Sequence, residues 1–588
     1  VIKLKWKLQE QPDPTDLERL CKVVPELEPS IWTLLWQRGI HSFEAVRDFM
    51  RPGLHQLHNP FLMKDMDKAT HRLNAAIERG ERVMVYGDYD VDGTTSVALV
   101  YSFLASKGVD CTYYIPDRFE EGYGFSMKGV EFAHEQRYSL IITLDCGIKD
   151  AQRIEKANEL GIDVIICDHH NVETLPPAFA VLDPKRPDCA YPDKGLSGCG
   201  VGFKLLQGLC EVRGESTDEL FRSLDLLAIS IGADIVPLVG ENRALASEGL
   251  RVLQTDRRPG IVRMLNLANV KKEILDISDV VFILAPRINA AGRIKSGRDA
   301  VRLLISQDPE EIEEMGKLLE SNNLTRRGLD KSITESAIAQ IEEDSFYKSA
   351  FSLVVKGEEW SKGVVGIVAS RLVEAYFKPA IVLTTKGDQL AGSARSVPGL
   401  DLYEALGACE DLLTQFGGHT MAAGLSLPVA NFTAFRKRFD QVVAEALCHT
   451  YPVPEVRVDM ELDFSAIKER FFNQLKLFAP FGPQNMKPVF MSLGVVNAGG
   501  TRAVGGDLTH LKVHLRHPDH PHSLDGIAFG MAKEWADPIR EGRPVDILYT
   551  LAENEWNGRK TIQLEVQDIR ASETSDVFSQ NDHSSVEA

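Results

Sequence analysis

The chain has 588 residues, 44% of them hydrophobic and 26% charged, with a formal net charge of −19. This is the composition of a soluble globular chain of three or four domains. No apolar run approaches the ~20 residues of a membrane helix and the N-terminus has no signal-peptide pattern, so a membrane or secreted protein is not expected. The nine cysteines are odd in number, scattered and without a CxxC pair; they predict reduced thiols in a cytoplasmic protein rather than a disulfide framework or a zinc site. The acidic balance does not exclude nucleic acid, because net charge sets solubility and long-range encounter, not the sign of a local cleft.

Residues 1–60 carry Trp6, Trp32 and Trp36 in helix-like segments and are predicted to form a helical cap on the first domain. From 61 to 260, apolar strand-like runs alternate with helical stretches, the pattern of a parallel α/β sheet. Three of these runs end in acidic motifs. ERVMVYG leads into Asp88-Tyr89-Asp90-Val91-Asp92-Gly93, SLIITL into Asp145-Cys146-Gly147, and IDVIIC into Asp168-His169-His170. In an open parallel sheet, chemistry gathers at the carboxyl ends of the strands. Five carboxylates and two imidazoles delivered to one edge repel one another unless cations neutralise them, which predicts a metal cluster. A single Asp after a strand is ordinarily a cap or turn residue, but three such motifs at successive strand ends outweigh that reading. A calcium loop of the EF-hand type is rejected, since the twelfth position counted from Asp88 is Leu99 and the preceding segment is a strand. Gly93 is expected to let the chain turn sharply from strand to helix. Gly198-Cys199-Gly200-Val201-Gly202 lacks dinucleotide-loop spacing and is read as a helix start.

Residues 261–345 are predicted to be a helical connector. Within it Ile312–Ile341 is too sparsely apolar for a buried helix, and is read as a helix bridging two domains. A second α/β unit follows over 346–454, with strands at 351–357 and 379–385 around a helix at 363–375. From 455 to 570 five short alternating strands fit an OB-like barrel, with Asn557-Gly558 as a hairpin turn between the last two. The segment from Phe478 to Gln484 is a candidate for docking that barrel against the catalytic domains. Residues 571–588 lack Lys and Arg and are read as a disordered tail.

YGDYDVDGTTS, LDCG, DHH and GADIVPL resemble, in order, the four motifs of the DHH phosphoesterase superfamily, and Gly417–Gly424 resembles the GGHxxAAG signature of its DHHA1 domain. Motif set, length and β-rich final third are together similar to the bacterial single-strand-specific 5′→3′ DNA exonucleases of that superfamily, over residues 45–570. The resemblance implies a parallel-sheet DHH domain and a smaller α/β DHHA1 domain joined by a long helix, followed by the barrel. It implies two Mn²⁺ or Mg²⁺ ions. Asp90 and Asp92 would bind one each, Asp145 would bridge them, His169 and Asp234 would complete the second site, and Asp88 would be a further ligand or acceptor. Some superfamily members have a histidine where this chain has Tyr86, which leaves the first site the less certain. His170 would touch the scissile phosphate, and Asp168 would hold an imidazole tautomer or contact metal directly. Arg118 and Arg293 match basic residues around the DNA 5′ end; Ser393, Arg395, Ser396, Gly418 and His419 belong to the DHHA1-like half that approaches phosphate. Lys185-Arg186, Arg287, Lys295, Arg298 and Arg302 add basic character near the motifs.

The implied activity is hydrolysis of single-stranded DNA from its 5′ end to 5′-mononucleotides, in recombination and repair, by a monomer working with single-strand-binding protein and a recombination helicase. Two other readings remain. A phosphoesterase acting on oligoribonucleotides or other small phosphates needs neither the barrel nor this length, and a replication scaffold that has lost its ligands would not keep the acidic motifs intact.

Overall fold

The computed structural model describes residues 4–118, 120–556 and 558–572. The first strand, β1 (Lys5–Leu8), finds its partner in the last domain. The sheet of the first domain begins with β2 (Val83–Gly87) and continues through β3 (Cys111–Tyr114), β4 (Leu140–Leu144), β5 (Asp163–Cys167) and β6 (Ala180–Leu182). It is five-stranded, wholly parallel and ordered β3-β2-β4-β5-β6. Every residue of β2 and β4 is buried, because helices cover both faces, and this is why these strands read as unbroken apolar runs. The crossover helices Val91–Ser106 and Ala151–Glu159 fall where the sequence predicts them. Strand order reverses between β2 and β4, so the crevice opens at the carboxyl ends of these two strands. The first two acidic motifs follow them directly.

The long helix spans Pro309–Glu343, 35 residues. Ile312, Met315 and Leu319 enter the core of the first domain; Ile333, Ala337 and Ile341 enter that of the next. It bridges two cores, which explains its sparse apolar positions. The second domain holds β7 (Leu353–Glu358), β8 (Ala380–Lys386), β9 (Gln389–Arg395), β10 (Gln415–His419) and β11 (Ala422–Pro428), ordered β10-β11-β9-β8-β7 with only β7 and β8 parallel. The helix Val365–Tyr376 covers one face and Phe432–Ala446 the other.

The final domain comprises β12 (Glu455–Val458), β13 (Met460–Glu461), β14 (Phe490–Asn497), β15 (Arg502–Val504), β16 (His510–Arg516), β17 (Ser523–Ala528), β18 (Val545–Trp556) and β19 (Arg559–Ala571). The five predicted strands close on themselves through β14-β18-β19-β17-β16 and back to β14, which removes the sheet edges. β18 and β19 form the predicted hairpin; Asn557 of its turn lies outside the described residues, as does the predicted tail beyond Ser572.

The N-terminal segment departs from expectation. Only its end, through Leu54 and Leu57, packs on the first domain. Its helices Pro14–Cys21, Pro29–Trp36 and Phe43–Met50 place Leu20, Ile31, Trp32, Leu35 and Val46 in one core with Phe471, Phe478, Phe490 and Ile547 of the barrel domain, and β1 pairs in parallel with β12. Nothing local in residues 1–60 says which apolar surface their buried stripe will meet. The segment Phe478–Gln484 does dock between domains: buried Arg243 donates to the carbonyls of Phe478 (2.8 Å), Ala479 (3.0 Å) and Pro480 (3.0 Å), and Leu238 N–H donates to Pro483 O (2.7 Å). Trp32 is fully buried, so Trp32→Ala is expected to cost about 3–5 kcal/mol and to lower the denaturant midpoint of the barrel domain. An unchanged midpoint would detach the N-terminal helices from the barrel core.

Candidate active site

The DxDxDG motif spans the end of β2 and the first turn of the next helix. Asp90 caps that helix, accepting from Gly93 N–H at 3.0 Å. A Cβ on Gly93 would lie 2.3 Å from Asp88 O. Glycine is therefore needed here for close approach to the preceding backbone rather than, as the sequence suggests, for a turn. Asp92 is buried and accepts from Gly198 N–H (2.7 Å), Cys199 N–H (2.9 Å) and Ser230 Oγ (2.7 Å). The glycine-rich segment is thus a helix start, as read, and its N-terminus points at a carboxylate, where the helix dipole favours negative charge. A side chain at Gly198 would meet Asp145 Cβ at 2.7 Å.

Asp145 follows β4 with φ +59°, a left-handed conformation that costs energy in a non-glycine residue and recurs at functional sites. After β5, His169 Nε2 lies 3.1 Å from Asp145 Oδ1, 3.6 Å from Asp234 Oδ2 and 3.7 Å from Asp92 Oδ2. Asp234 arrives at the C-terminus of the helix Leu224–Ala233. The potential ligand atoms form two groups, Asp88/Asp90/Asp145 and Asp92/His169/Asp234, with Asp145 also grouped with His169 and His170.

Two observations test whether divalent cations fit. Both carboxylate oxygens of Asp88 are buried with no hydrogen-bond partner, which is costly unless something else engages the site. The donors are carboxylates with one imidazole, the set suited to Mn²⁺ or Mg²⁺ rather than softer ions. The residues fit. Without cations the charges are frustrated. Burial, then Asp90, holds the Asp88 carboxyl well above the usual range. Burial, then Asp92 and Asp90, does the same to Asp145. Burial and Asp92 push Asp234 up to about 8.

Asp168 is different. Burial works against its charge, but hydrogen bonding and the charge of His170 win and hold it at about 2. It accepts from His170 Nδ1 (2.6 Å), His169 N–H (2.7 Å), Ile148 N–H (3.1 Å) and His170 N–H (3.2 Å). These contacts orient the His170 imidazole and leave Asp168 little capacity for metal. Burial opposes charge on His170 as well, but the Asp168 bond outweighs it and raises the imidazole pKa. His170 Nε2 points outward to the Tyr123 hydroxyl at 3.1 Å. Tyr86 takes no part, since its hydroxyl lies in the core bonded to Gly124 O and Ser126 N–H, both at 3.0 Å.

Across the cleft, the structure gathers Arg118, Arg293, Ser393 and Arg395. Arg118 lies over the Tyr89 ring at 5.1 Å, and Arg293 donates to Gly363 O at 3.0 Å. Gly366, in the first turn of the helix Val365–Tyr376, leaves room for Arg395 Nη2 and Ser393 Oγ; a Cβ there would meet them at 3.1 and 3.3 Å. Burial and the like charges of Arg118, Arg326 and Arg395 push Arg293 down to about 10. Among the described residues none of these arginines pairs with a carboxylate. By contrast Arg186 pairs with Asp65 and Asp188, Arg287 with Glu320, and Arg302 with Glu311, so those predicted basic residues serve the fold. Ser396 is likewise committed to a turn, donating to Leu400 O at 2.9 Å. Gly418 and His419 lie exposed on edge strand β10; His419 is in register with Ala422 and hence Arg395, two strands or about 10 Å away.

The sequence reading missed the Gly198 and Cys199 N–H groups, Ser230 and Tyr123. Only the glycine run carried a signal, and it announced a helix start without its target.

The metal-free protein should lose stability as pH rises. Asp234, with a folded pKa near 8 against about 3.9 unfolded, binds more protons folded than unfolded through this window, so stability falls with pH. Saturating Mn²⁺ removes the repulsion and binds better as the ligands deprotonate. The increase in Tm on adding Mn²⁺ is therefore expected to grow from pH 5.5 to 8.5; an increment that shrinks over that range would contradict the cluster as described.

Comparison with known proteins identifies the family. Family models match at residues 82–231 (DHH family, N-terminal domain), 348–445 (DHHA1 domain) and 458–568 (RecJ OB domain). The chain is 37% identical to the single-stranded-DNA-specific exonuclease RecJ of Bacillus subtilis over 97% of its own length and 71% of that protein's. It is 34% identical to the Escherichia coli protein of that name, over 94% and 98%. The crystal structure of RecJ in complex with Mn²⁺ from Thermus thermophilus superposes with a TM-score of 0.82 at 30% identity, covering 97% of this chain and 80% of that one. With its three domains matched in order and two relatives above 30% identity across most of their length, the chain belongs to the RecJ family.

Proposed function

We propose that this protein is a metal-dependent exonuclease that hydrolyses single-stranded DNA from the 5′ end to 5′-mononucleotides, in recombination and repair. The observation that carries the reading is a pair of opposite charge clusters on one cleft. Clustered carboxylates, with both Asp88 oxygens unpartnered, stand on one side and arginines that among the described residues have no carboxylate partner on the other, close enough for Arg118 to act on Asp88 and Asp90 on Arg293. One side suits divalent cations, the other a phosphate, and the scissile bond belongs between them. Asp88, Asp90 and Asp145 would hold one ion, and Asp92, His169 and Asp234, with Asp145 shared, the second. Bound there, the ions supply a hydroxide at neutral pH and neutralise charge at the phosphate.

The remaining work falls to the chain. Asp168 fixes the His170 ring through Nδ1, which leaves Nε2 to hydrogen-bond a phosphate oxygen and to deliver a proton to the leaving oxygen. Tyr123 occupies Nε2 until substrate takes its place. Arg118, Arg293, Arg395 and Ser393 hold the 5′-terminal phosphate; planar guanidinium groups do so bidentately. Gly418 and His419 border the same face. The barrel grips the following nucleotides, a task a small phosphate substrate would not require. A single-strand-binding protein and a recombination helicase are partners suited to this activity. No helix among the described residues is long and apolar enough to cross a membrane, and all nine cysteines are unpaired, in keeping with a reducing cytoplasm.

His169→Ala and Asp145→Asn are each expected to reduce hydrolysis of a 5′-labelled single strand by roughly 10²-fold or more at saturating Mn²⁺, with circular dichroism unchanged. Activity within twofold of wild type in either variant would sink the metal assignment. Arg293→Ala should weaken use of a 5′-phosphorylated strand by about 10- to 100-fold, the worth of a charge-assisted hydrogen bond, and affect a 5′-hydroxyl strand far less. Equal losses on both ends would reassign Arg293 to general backbone binding.

A further inference from the structure

The chain after Asp234 holds a conformation that its sequence does not favour. Asp234 is the C-cap of the helix Leu224–Ala233, and Ile235 follows with φ +58°. This is the position just past a helix cap where the chain turns left-handed and glycine is the usual residue. Ile235 is the only β-branched residue with positive φ among the described residues. A left-handed turn crowds any Cβ, and branching adds to the crowding.

Packing does not offset that strain. Val236 and Leu238, the next apolar residues, enter the core of the first domain, but Ile235 stays 66% exposed. A glycine would make the same turn and lose little burial. What isoleucine adds is a branched apolar surface in solvent, one residue from a carboxylate that lies 3.6 Å from His169 Nε2.

The neighbouring contacts show where this surface stands. Leu238 N–H donates to Pro483 O, so residues 235–238 lead from the metal cluster to the junction with the barrel. Beyond that junction Met486 is also 66% exposed. The cations around it are engaged, Arg38 by Asn485 Oδ1 and Met486 O, Arg243 by backbone carbonyls and Lys487 by Glu565. A strand that leaves the cluster for the barrel crosses this junction, and the free side chains it meets there are apolar.

We propose that Ile235 packs against the apolar face of a nucleotide on the barrel side of the scissile phosphate, and so holds the strand over the metal cluster. The proposal rests on the exonuclease reading above and adds a contact to sugar or base, where the arginines hold phosphate. Every nucleotide offers such a face, so the contact carries no sequence preference. Ile235 takes no part in the metal or proton chemistry.

The test is hydrolysis of a 3′-labelled single strand by the full chain at saturating Mn²⁺, with kcat and KM measured separately. Ile235→Gly relaxes the left-handed turn, so Tm should hold or rise, and the gain in Tm on adding Mn²⁺ should match wild type. Its kcat/KM is expected to fall about 5- to 20-fold, the worth of covering the exposed part of one isoleucine side chain, with the loss carried by KM. Ile235→Asn tolerates the turn but is polar and should lose as much, whereas Ile235→Val should lie nearer to wild type than to either. Repeating the comparison on a strand that lacks bases at its 5′-terminal nucleotides assigns the face: a defect that vanishes marks the base, and one that persists marks the sugar. A folded Ile235→Gly or Ile235→Asn with wild-type kcat/KM overturns the proposal. So does a loss confined to kcat or a smaller gain in Tm with Mn²⁺, either of which traces the defect to Asp234. If the wild-type protein leaves the strand uncut, the exonuclease reading itself fails, and the two failures are distinguishable.

Discussion

The constraint on which the rest depends is the crowding of carboxylates at the carboxyl edge of one parallel sheet. β2, β4 and β5 are each followed at once by an aspartate, and the strand order puts the first two on either side of the crevice. Like charges in so small a volume raise one another's pKa and destabilise the fold. The chain relieves part of this itself. Asp92 receives the N-terminus of a helix and a serine hydroxyl, and Asp168 receives three backbone N–H groups and an imidazole. It does nothing of the kind for Asp88. The unrelieved charge is the share left to cations.

The far side of the cleft supplies the opposite imbalance. Arginines from a loop, two helices and a strand meet without acids, while arginines a turn or two away are paired. One helix joins the two imbalances by crossing from one core to the other. The barrel is tied to the same frame: Arg243, nine residues beyond Asp234, holds the carbonyls of the segment that enters the barrel. The first domain and the barrel therefore share backbone anchors within a short stretch of chain.

Much of this is legible in sequence because short-range rules govern it. An aspartate immediately after a buried apolar strand can only sit at the strand's carboxyl end, so Asp88, Asp145 and Asp168 place themselves. The bridging role of 309–343 follows from its diluted apolar periodicity, and the barrel from its alternating runs. What the sequence hides is long-range. Asp92 and Gly198 lie more than a hundred residues apart, and only the packing of two helices brings them together. Trp32 has an apolar stripe around it that fits any core, and it joins the barrel through residues more than four hundred positions away. Tyr123 lies in an irregular loop with no periodicity to read. Ser396 shows the converse: the resemblance places it with the residues of the DHHA1-like half that approach phosphate, and its hydroxyl donates within a turn to Leu400 O.

The central claim is that two cation sites flank Asp145. Anomalous scattering from crystals of the full chain grown with Mn²⁺ tests it most directly. The account predicts two peaks, one among Asp88, Asp90 and Asp145 and the other among Asp92, His169, Asp234 and Asp145. A single peak, or manganese bound away from Asp145, would contradict it.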